Sequence, residues 1–263
     1  MIIVLGLGFT GQRLAWRLLR RGVAVCAAAR RVERFRKLAD AGLVLSEFGT
    51  VPSLSKHSVL IDLIPPLQEP ENAALRQYIQ DLEPSRVIYV SSTGVYGDQI
   101  EVNEKTAAMA NDERGRLRLA EEQWVSSGPW TSLILRAAAI YGPGRGVHTA
   151  LRQGKAPRGT RSGVVSRIHV EDLAALIEAG IFSDLEGAWP VADDEPCATA
   201  EIAEWLGESQ EMKQPDSTST DTTRGRRVDG RKIRELLAIE LIYRSWRTGI
   251  PASIEQEKNS VAY

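Results

Sequence analysis

The sequence predicts a doubly wound α/β fold, in which a parallel sheet carries helices on both faces. Short apolar runs alternate with segments of helical periodicity from residue 1 to about residue 140, and turn residues separate them. The apolar runs are continuous rather than alternating, which is typical of strands buried on both faces. A repeated strand–helix–strand order favours parallel pairing, because each helix returns the chain to the same edge of the sheet.

The elements follow from these patterns in chain order. We expect strands at residues 2–5, 23–29, 43–48, 58–64, 86–90 and 131–136. We expect a helix after the glycine turn, with apolar residues at 14, 15, 18 and 19, and further helices at residues 31–41, 72–82, 112–124, 172–181, 200–206 and 231–237. Residues 208–225 are polar and predict a loop, and the last dozen residues predict a fraying tail. The division expected is a larger domain over residues 1–145 and a smaller substrate lobe over 146–263, with segments near 163–192 returning to the sheet.

Composition excludes several classes of function. The chain has 263 residues and a net charge of −1, with 43% hydrophobic and 25% charged residues. This balance argues against a general nucleic-acid or membrane partner. Only two cysteines are present, and no His/Cys cluster has metal-ligand spacing, so we expect reduced thiols and no metal. No secretory signal is recognisable, and we expect a cytoplasmic protein. The oligomeric state is not predicted.

The first eleven residues carry the most specific motif. An apolar run at residues 2–5 leads directly into Gly6-x-Gly8-x-x-Gly11, and a helical pattern follows. In such a unit the first glycine allows a tight turn, the second lets the backbone approach a diphosphate, and the third lets the helix pack closely. The free N–H groups of the helix N-terminus favour phosphate. We therefore predict a dinucleotide site that includes Phe9 and Thr10. The alternative is a glycine turn in a domain that binds no cofactor.

Two arginines bear on which nicotinamide cofactor is bound. The second strand should end near the adenosine ribose, where an acidic residue would accept bonds from the ribose hydroxyls. This chain has Arg30 and Arg31 there. Guanidinium groups pair with phosphate in bidentate geometry, which favours NADP over NAD. The alternative is that both arginines form a solvated helix start, and NAD then remains a candidate.

Four separated segments together resemble the extended branch of the short-chain dehydrogenase/reductase superfamily, the NAD-dependent epimerases and dehydratases. Segment 6–11 resembles the cofactor turn of that family, although it is one residue shorter than the usual GxxGxxG. The other three resemble the SSxxVYG, LRPxxVYGPG and IHVDDLA segments, and they occupy residues 90–97, 135–144 and 167–174. The resemblance covers residues 1 to about 180 and implies a substrate oxidised or reduced by hydride transfer.

The chain departs from the family at its catalytic helix. The family uses Tyr-x-x-x-Lys beside a Ser or Thr, and here Arg114 and Arg118 occupy the places of Tyr and Lys. A guanidinium does not deprotonate near neutral pH, so Arg114 cannot serve as the general acid or base. It could bind an anionic group of the substrate, while Arg118 could hold the nicotinamide ribose. Ser92 lies where the family has its Ser or Thr, and its alternative role is to cap the strand end.

Other residues complete the candidate site. Tyr96 and Tyr141 follow neighbouring strands at the edge where ligands bind, and either could replace the missing phenol, with packing in the loops as the alternative. The remaining expected cofactor contacts are Ile64, Pro65 and Ser91, and the remaining expected substrate contacts are Thr93, Arg145 and His148.

Two functions remain open from the sequence. The first is an NADP-dependent oxidoreductase or epimerase-like enzyme acting on a small anionic substrate, such as a sugar nucleotide. The second is an NADP(H) sensor or partner-binding module without turnover, which the missing tyrosine favours. The retained loops favour the first.

Overall fold

The structure is a computed structural model that describes residues 1–29, 31–47, 58–155, 163–210 and 225–261. Its strands are, in chain order, β1 (Ile2–Leu5), β2 (Val25–Ala29), β3 (Val44–Glu47), β4 (Val59–Asp62), β5 (Arg86–Ser92), β6 (Glu101–Val102), β7 (Thr131–Ala137), β8 (Ala139–Tyr141), β9 (Val164–Val165), β10 (Arg167–His169), β11 (Gly187–Val191), β12 (Cys197–Ala198) and β13 (Arg227–Val228). Its α-helices are α1 (Phe9–Arg20), α2 (Arg36–Asp40), α3 (Glu71–Asp81), α4 (Glu113–Ser126), α5 (Val147–Arg152), α6 (Val170–Ile181), α7 (Thr199–Gln210), α8 (Arg231–Leu236) and α9 (Trp246–Val261).

One parallel sheet organises the described residues, and it confirms the predicted fold class. Seven strands pair in the order β11-β7-β5-β4-β1-β2-β3. The strand order reverses at β1, which pairs with β2 on one side and β4 on the other. Such a reversal opens a crevice at the carboxyl ends of the strands, where ligands bind in this class of sheet. Strand β11 comes from the chain beyond residue 145 and extends the sheet past β7.

Apolar residues on alternate sides of each strand bury both faces of the sheet. From β1, Ile2 and Val4 pack with residues of α1 and α6, whereas Ile3 and Leu5 pack with residues of α3 and α4. Because both faces are covered, the strands read as continuous apolar runs. Cys26 and Cys197 are buried free thiols. No helix within the described ranges is both long enough and apolar enough to cross a membrane.

Two of the expected internal elements are wrong. The helix expected at 31–41 is a 3₁₀ turn at Val32–Phe35 followed by the short α2. Helix α7, expected to end at residue 206, continues to Gln210 and so enters the segment expected to be a loop from residue 208. Most of that predicted loop lies outside the described residues.

Residues 252–261 of the predicted C-terminal tail instead form the second part of the long helix α9. Trp246, Ile250 and Ile254 are almost fully buried and pack with residues of α5 and α7. Their spacing of four residues places them along one side of the helix. The tail expectation failed because a polar, proline-containing sequence concealed this apolar stripe, which fixes α9 to the body of the protein.

Candidate functional site

The glycine turn after β1 has the geometry that its motif predicts. Gly6 has φ +94°, a conformation that residues with a side chain rarely adopt. A Cβ on Gly11 would lie 2.2 Å from the carbonyl oxygen of Gly6, so only glycine lets α1 pack this closely on the turn. The first and third glycines are therefore required by the backbone itself.

The middle of the turn is open to a ligand. A Cβ built on Gly8 would meet nothing within 4 Å. Gly8 is also the N-cap of α1, where no side chain caps the helix and no acidic residue occupies the first turn. The free N–H groups and the positive end of the helix dipole therefore face unobstructed space, and this arrangement fits a diphosphate.

A single cleft joins this turn to the ends of the neighbouring strands. Its volume is about 890 Å³, within the range of small-molecule sites. Eleven of the residues predicted from the sequence line it, namely Gly6, Gly8, Phe9, Thr10, Gly11, Pro65, Ser91, Ser92, Thr93, Arg118 and Arg145. The motif residues and the carboxyl edge of the sheet thus share one cavity.

The loop after β5 presents hydroxyl groups to the cleft. The Ser92 Oγ accepts a hydrogen bond from the backbone N–H of Gly94 at 3.2 Å, so the capping role is real. Its own hydroxyl hydrogen remains available for a ligand oxygen. The Ser91 Oγ is buried without a hydrogen-bond partner among the described residues. Both serines lie at the cleft with unused hydrogen-bonding capacity.

Arg226 fixes this loop from a distant part of the chain. Its guanidinium donates to the carbonyl oxygens of Thr93 at 2.6 Å, Gln99 at 3.1 Å and Gly97. Burial lowers the pKa of Arg226, although a guanidinium stays charged at neutral pH. The loop that carries Ser92 is therefore held by three charge-assisted hydrogen bonds.

Arg118 brings a second positive charge to the cleft, close to a buried carboxyl group. Asp62 is 1% exposed, and burial raises its pKa to about 7, although the charge of Arg118 acts in the opposite direction. One Asp62 oxygen accepts from the backbone N–H of Ile64 at 2.9 Å. Ile64 therefore shapes the turn beside Gly6 without itself lining the cleft.

Tyr96 does not lie where the prediction of a replacement phenol needs it. Its side chain is completely buried, and its hydroxyl accepts a hydrogen bond from Arg136 at 3.2 Å. Arg136 also pairs with Glu122 at 2.7 Å and lies over the Tyr96 ring. Burial raises the pKa of Tyr96. Tyr96 does not line the cleft, and its hydroxyl is occupied by Arg136. It therefore packs in the interior and stabilises the loop after β5.

Tyr141 and His148 are likewise directed away from the cleft. Tyr141 is 3% exposed, and its hydroxyl lies 3.4 Å from the carbonyl oxygen of Ser245. His148 is fully buried and lies 3.1 Å from Glu257 of α9. Burial lowers the pKa of His148 despite that carboxylate. The structure thus corrects both expectations, since each side chain packs between the C-terminal elements.

Only some of the arginines predicted to contact a ligand line the cleft. Arg114 lies exposed in the first turn of α4 and does not line the cleft, so the structure does not support its expected substrate contact. Arg31 is exposed just beyond the end of β2 and also lies outside the cleft lining. Arg30 lies outside the described residues. Arg118, one turn further along α4 than Arg114, does reach the cleft.

Several cleft residues escaped sequence reasoning. They are Asp98, Asn111, Asp112, Val164, Val165, Ser166 and Arg226. Asp112 was recognisable as a helix start, and its carboxylate indeed caps α4 by accepting from the N–H of Gly115 at 2.6 Å. Arg226 had no local signal, because its partners precede it by more than 120 residues. Within the described ranges, no group of His, Cys, Asp and Glu side chains could hold a metal ion.

Comparison with known proteins agrees with this geometry. Residues 1–112 match the family model for the NAD binding domain of 6-phosphogluconate dehydrogenase. Protein YeeZ of Escherichia coli K12 is 26% identical, and the match covers 92% of this chain and 96% of YeeZ. A solved structure of a functionally unknown conserved protein from Silicibacter pomeroyi is 28% identical, with a TM-score of 0.81 over 97% of this chain and 98% of that chain.

A third comparison identifies the architecture. UDP-glucuronic acid 4-epimerase from Bacillus cereus, solved in complex with NAD, superposes with a TM-score of 0.79 over 98% of each chain at 17% identity. The chain thus shares the Rossmann-type fold of the NAD-dependent epimerases and dehydratases, and its residues 1–112 are similar to an NAD binding domain. The resemblance predicted from the sequence is confirmed at this level.

Proposed function

We propose that this protein is an NAD(P)-dependent oxidoreductase that transfers hydride between the nicotinamide and a carbonyl or alcohol carbon of a small anionic substrate. One observation carries the proposal: the glycine turn of α1 and the hydroxyl-bearing end of β5 open into the same cleft. A dinucleotide laid on the turn would extend towards Ser92, where a substrate oxygen could be bound. The E. coli YeeZ similarity is compatible with this proposal but names no activity.

Ser92 and Arg118 would act on the two bound molecules. The nicotinamide, when bound, supplies or accepts the hydride. The Ser92 hydroxyl would donate to the substrate oxygen and stabilise the negative charge that develops there during reduction. Arg118 would hold the nicotinamide ribose from its place on α4. Arg226 would keep the Ser92 loop in position, because preorganised donors lose little entropy on binding.

The proton that completes a reduction needs a source other than a tyrosine. Among the described cleft residues, the carboxyl groups belong to Asp98 and Asp112. Asp112 caps α4, whereas Asp98 is exposed at the rim. We propose that Ser92 passes its proton to the substrate oxygen and regains one from water or from Asp98. The hydride then adds to carbon and the proton to oxygen, which balances the reaction.

NADP is the cofactor we propose, with Arg30 and Arg31 at the 2′-phosphate. Both residues follow β2 directly, and β2 pairs with β1, which leads into the glycine turn. Thr93 would contact the substrate from the cleft wall. Sugar nucleotides are one substrate class to test, because the B. cereus epimerase of similar fold acts on a UDP-sugar.

A second candidate function is cofactor binding without turnover. The observation that favours it is the cleft lining, where the described residues include no phenol and no imidazole. The protein would then sense NADP(H) or present a cofactor-dependent surface to a partner.

One experiment separates the two functions. The purified protein is titrated with NADPH and NADH, and it is then incubated with NADPH deuterated separately at each face of C4. The substrate panel contains sugar nucleotides and small keto acids, and Ser92→Ala is the matched variant. The enzyme proposal expects deuterium transfer from one face only, with Ser92→Ala retaining cofactor affinity but losing about 100-fold or more in turnover. Tight binding without transfer to any substrate would favour the sensor.

A further inference from the structure

Two arginines lie against the ring of Phe9, the first residue of α1, but only one has an available charge. The Arg13 Cζ lies 4.2 Å from the ring centroid and the Arg145 Cζ lies 5.3 Å from it. Arg13 donates to the carbonyl oxygen of Phe9 at 2.7 Å and pairs with Glu171 at 3.1 Å. Arg145 lines the cleft, and no carboxylate of the described residues pairs with it.

The turn that carries Arg145 is fixed before any ligand binds. Gly142 and Arg145 exchange two backbone hydrogen bonds of 2.9 Å each. The backbone N–H of Gly144 donates to the Glu257 carboxylate at 2.6 Å, which ties the turn to α9. A Cβ on Gly142 would lie 2.6 Å from a methyl group of Val170, so the turn packs directly on α6. Because the backbone of this turn is already ordered, binding a ligand through the Arg145 guanidinium costs little backbone conformational entropy.

The groups near the Arg145 guanidinium favour one kind of ligand. Gly8, which precedes Phe9, leaves open space and uncapped N–H groups at the start of α1. Backbone N–H donors and a guanidinium on one side of a cleft suit an anion with several oxygens, and a diphosphate presents such oxygens to both. A substrate carboxylate near Ser92 would contact Arg145 but would not reach the N–H groups at the N-terminus of α1.

We propose that Arg145 binds the diphosphate of the dinucleotide together with the N-terminus of α1, and that it is a cofactor residue rather than the substrate residue expected from the sequence. This inference rests on the proposed cofactor binding. It also separates binding of the diphosphate, which NAD and NADP share, from recognition of the 2′-phosphate, which only NADP has. Arg145 would contribute affinity for both cofactors equally and would not discriminate between them.

The test uses ADP-ribose, which has the diphosphate but lacks the nicotinamide. Dissociation constants for ADP-ribose, NADH and NADPH are measured calorimetrically for wild type, Arg145→Gln, Arg145→Lys and the control Arg13→Gln. We expect Arg145→Gln to weaken all three ligands by a similar factor of about 10 to 100, as for loss of a charged hydrogen bond. Arg145→Lys should retain part of the affinity, and Arg13→Gln should change it by less than about threefold.

Each contrary outcome has a distinct meaning. If Arg145→Gln weakens NADH but leaves ADP-ribose unchanged, Arg145 acts at the nicotinamide or substrate end and the inference is wrong. If the three affinities are all unchanged while wild type binds, the inference fails and the proposed cofactor binding survives. If wild type binds none of the three, both fail. Thermal unfolding of each variant checks that the fold is retained, and Arg145 is exposed, so a large loss of stability is not expected.

Discussion

Asp62 and Tyr89 are register partners on the neighbouring strands β4 and β5, and both are buried, each immediately before a residue that lines the cleft. The Asp62 Oδ2 and the Tyr89 hydroxyl oxygen each lack a hydrogen-bond partner within the described residues. Burial raises the pKa of both groups, and the charge of Arg118 acts against the rise in each case. The arrangement places a carboxyl group, whose pKa burial raises to about 7, next to residues that line the cleft.

The first prediction concerns the pH dependence of stability. The pKa of Asp62 rises from an ordinary value of 3.8 to about 7 in the folded state, so folding favours the protonated carboxyl. Its stabilising contribution is complete below about pH 4 and is lost as the pH rises through about 7. Asp62→Asn removes this dependence. Relative to wild type, the variant should therefore gain free energy of unfolding between pH 5 and pH 8, by at most about 1.4 kcal/mol for each pH unit.

Urea unfolding at four pH values measures this difference. Asp40→Asn is the control, because Asp40 is an exposed aspartate on α2. Parallel stability profiles for wild type and Asp62→Asn across this range would contradict the assignment of a raised pKa.

The second prediction separates two glycines of one turn. In Gly11→Ala the new Cβ would lie 2.2 Å from a backbone oxygen, so we expect a loss of several kcal/mol in the free energy of unfolding. In Gly8→Ala the new methyl group meets no protein atom, and the fold should persist. It would occupy the space that the diphosphate needs, so the affinity for NADPH should fall at least about tenfold. Calorimetry and thermal unfolding of both variants measure the two effects, and equal stability losses would count against the different roles.

The third prediction tests the proposed cofactor preference. Arg30→Glu and Arg31→Glu would place a negative charge beside the 2′-phosphate, and NADPH should bind at least about tenfold more weakly. NADH lacks that phosphate and should lose little affinity. The control is Arg34→Glu, which makes the same charge change on the neighbouring 3₁₀ turn. Equal losses for NADPH and NADH would show that these arginines do not read the 2′-phosphate.

The fourth prediction tests whether a buried phenol takes part in chemistry. Tyr96→Phe removes the hydrogen bond from Arg136 but keeps the ring and the Arg136–Glu122 pair. We expect a loss of about 1 kcal/mol in stability and an almost unchanged turnover once a substrate is known. Steady-state kinetics beside Ser92→Ala measure the contrast. If Tyr96→Phe lowers turnover as much as Ser92→Ala does, Tyr96 takes part in the chemistry and this prediction is wrong.

The parts of the fold that the sequence predicts are those with local causes. The turn at Gly6 combines an apolar strand, a positive φ and a helix start within eleven residues, so its pattern and its geometry agree. The buried strands of the sheet are predicted for the same reason, because burial on both faces leaves a continuous apolar run. Helix α9 also left a local trace in the spacing of Trp246, Ile250 and Ile254, although the proline within the helix obscured it.

The parts of the site that the sequence does not predict depend on contacts between distant segments. Tyr96 is a plausible phenol until Arg136, from the next strand of the sheet, occupies its hydroxyl. His148 is a plausible titrating group until Glu257, 109 residues later, pairs with it in the interior. Neither partner can be deduced from spacing alone. A motif therefore predicts the backbone position of a side chain. Whether that side chain is free to contact a ligand depends on contacts with residues that are distant in the sequence.

The hydrogen bond from Gly144 to Glu257 ties the turn at residues 142–145 to α9, and Arg145 of that turn lies against Phe9 of α1. The last helix secures the turn whose arginine lies on the first residue of the first helix. A variant that lacks α9 is therefore expected to bind the proposed cofactor more weakly, although every residue proposed to contact that cofactor is unchanged. Substitutions near residue 257 are therefore expected to change the affinity for a dinucleotide bound at residues 6–11.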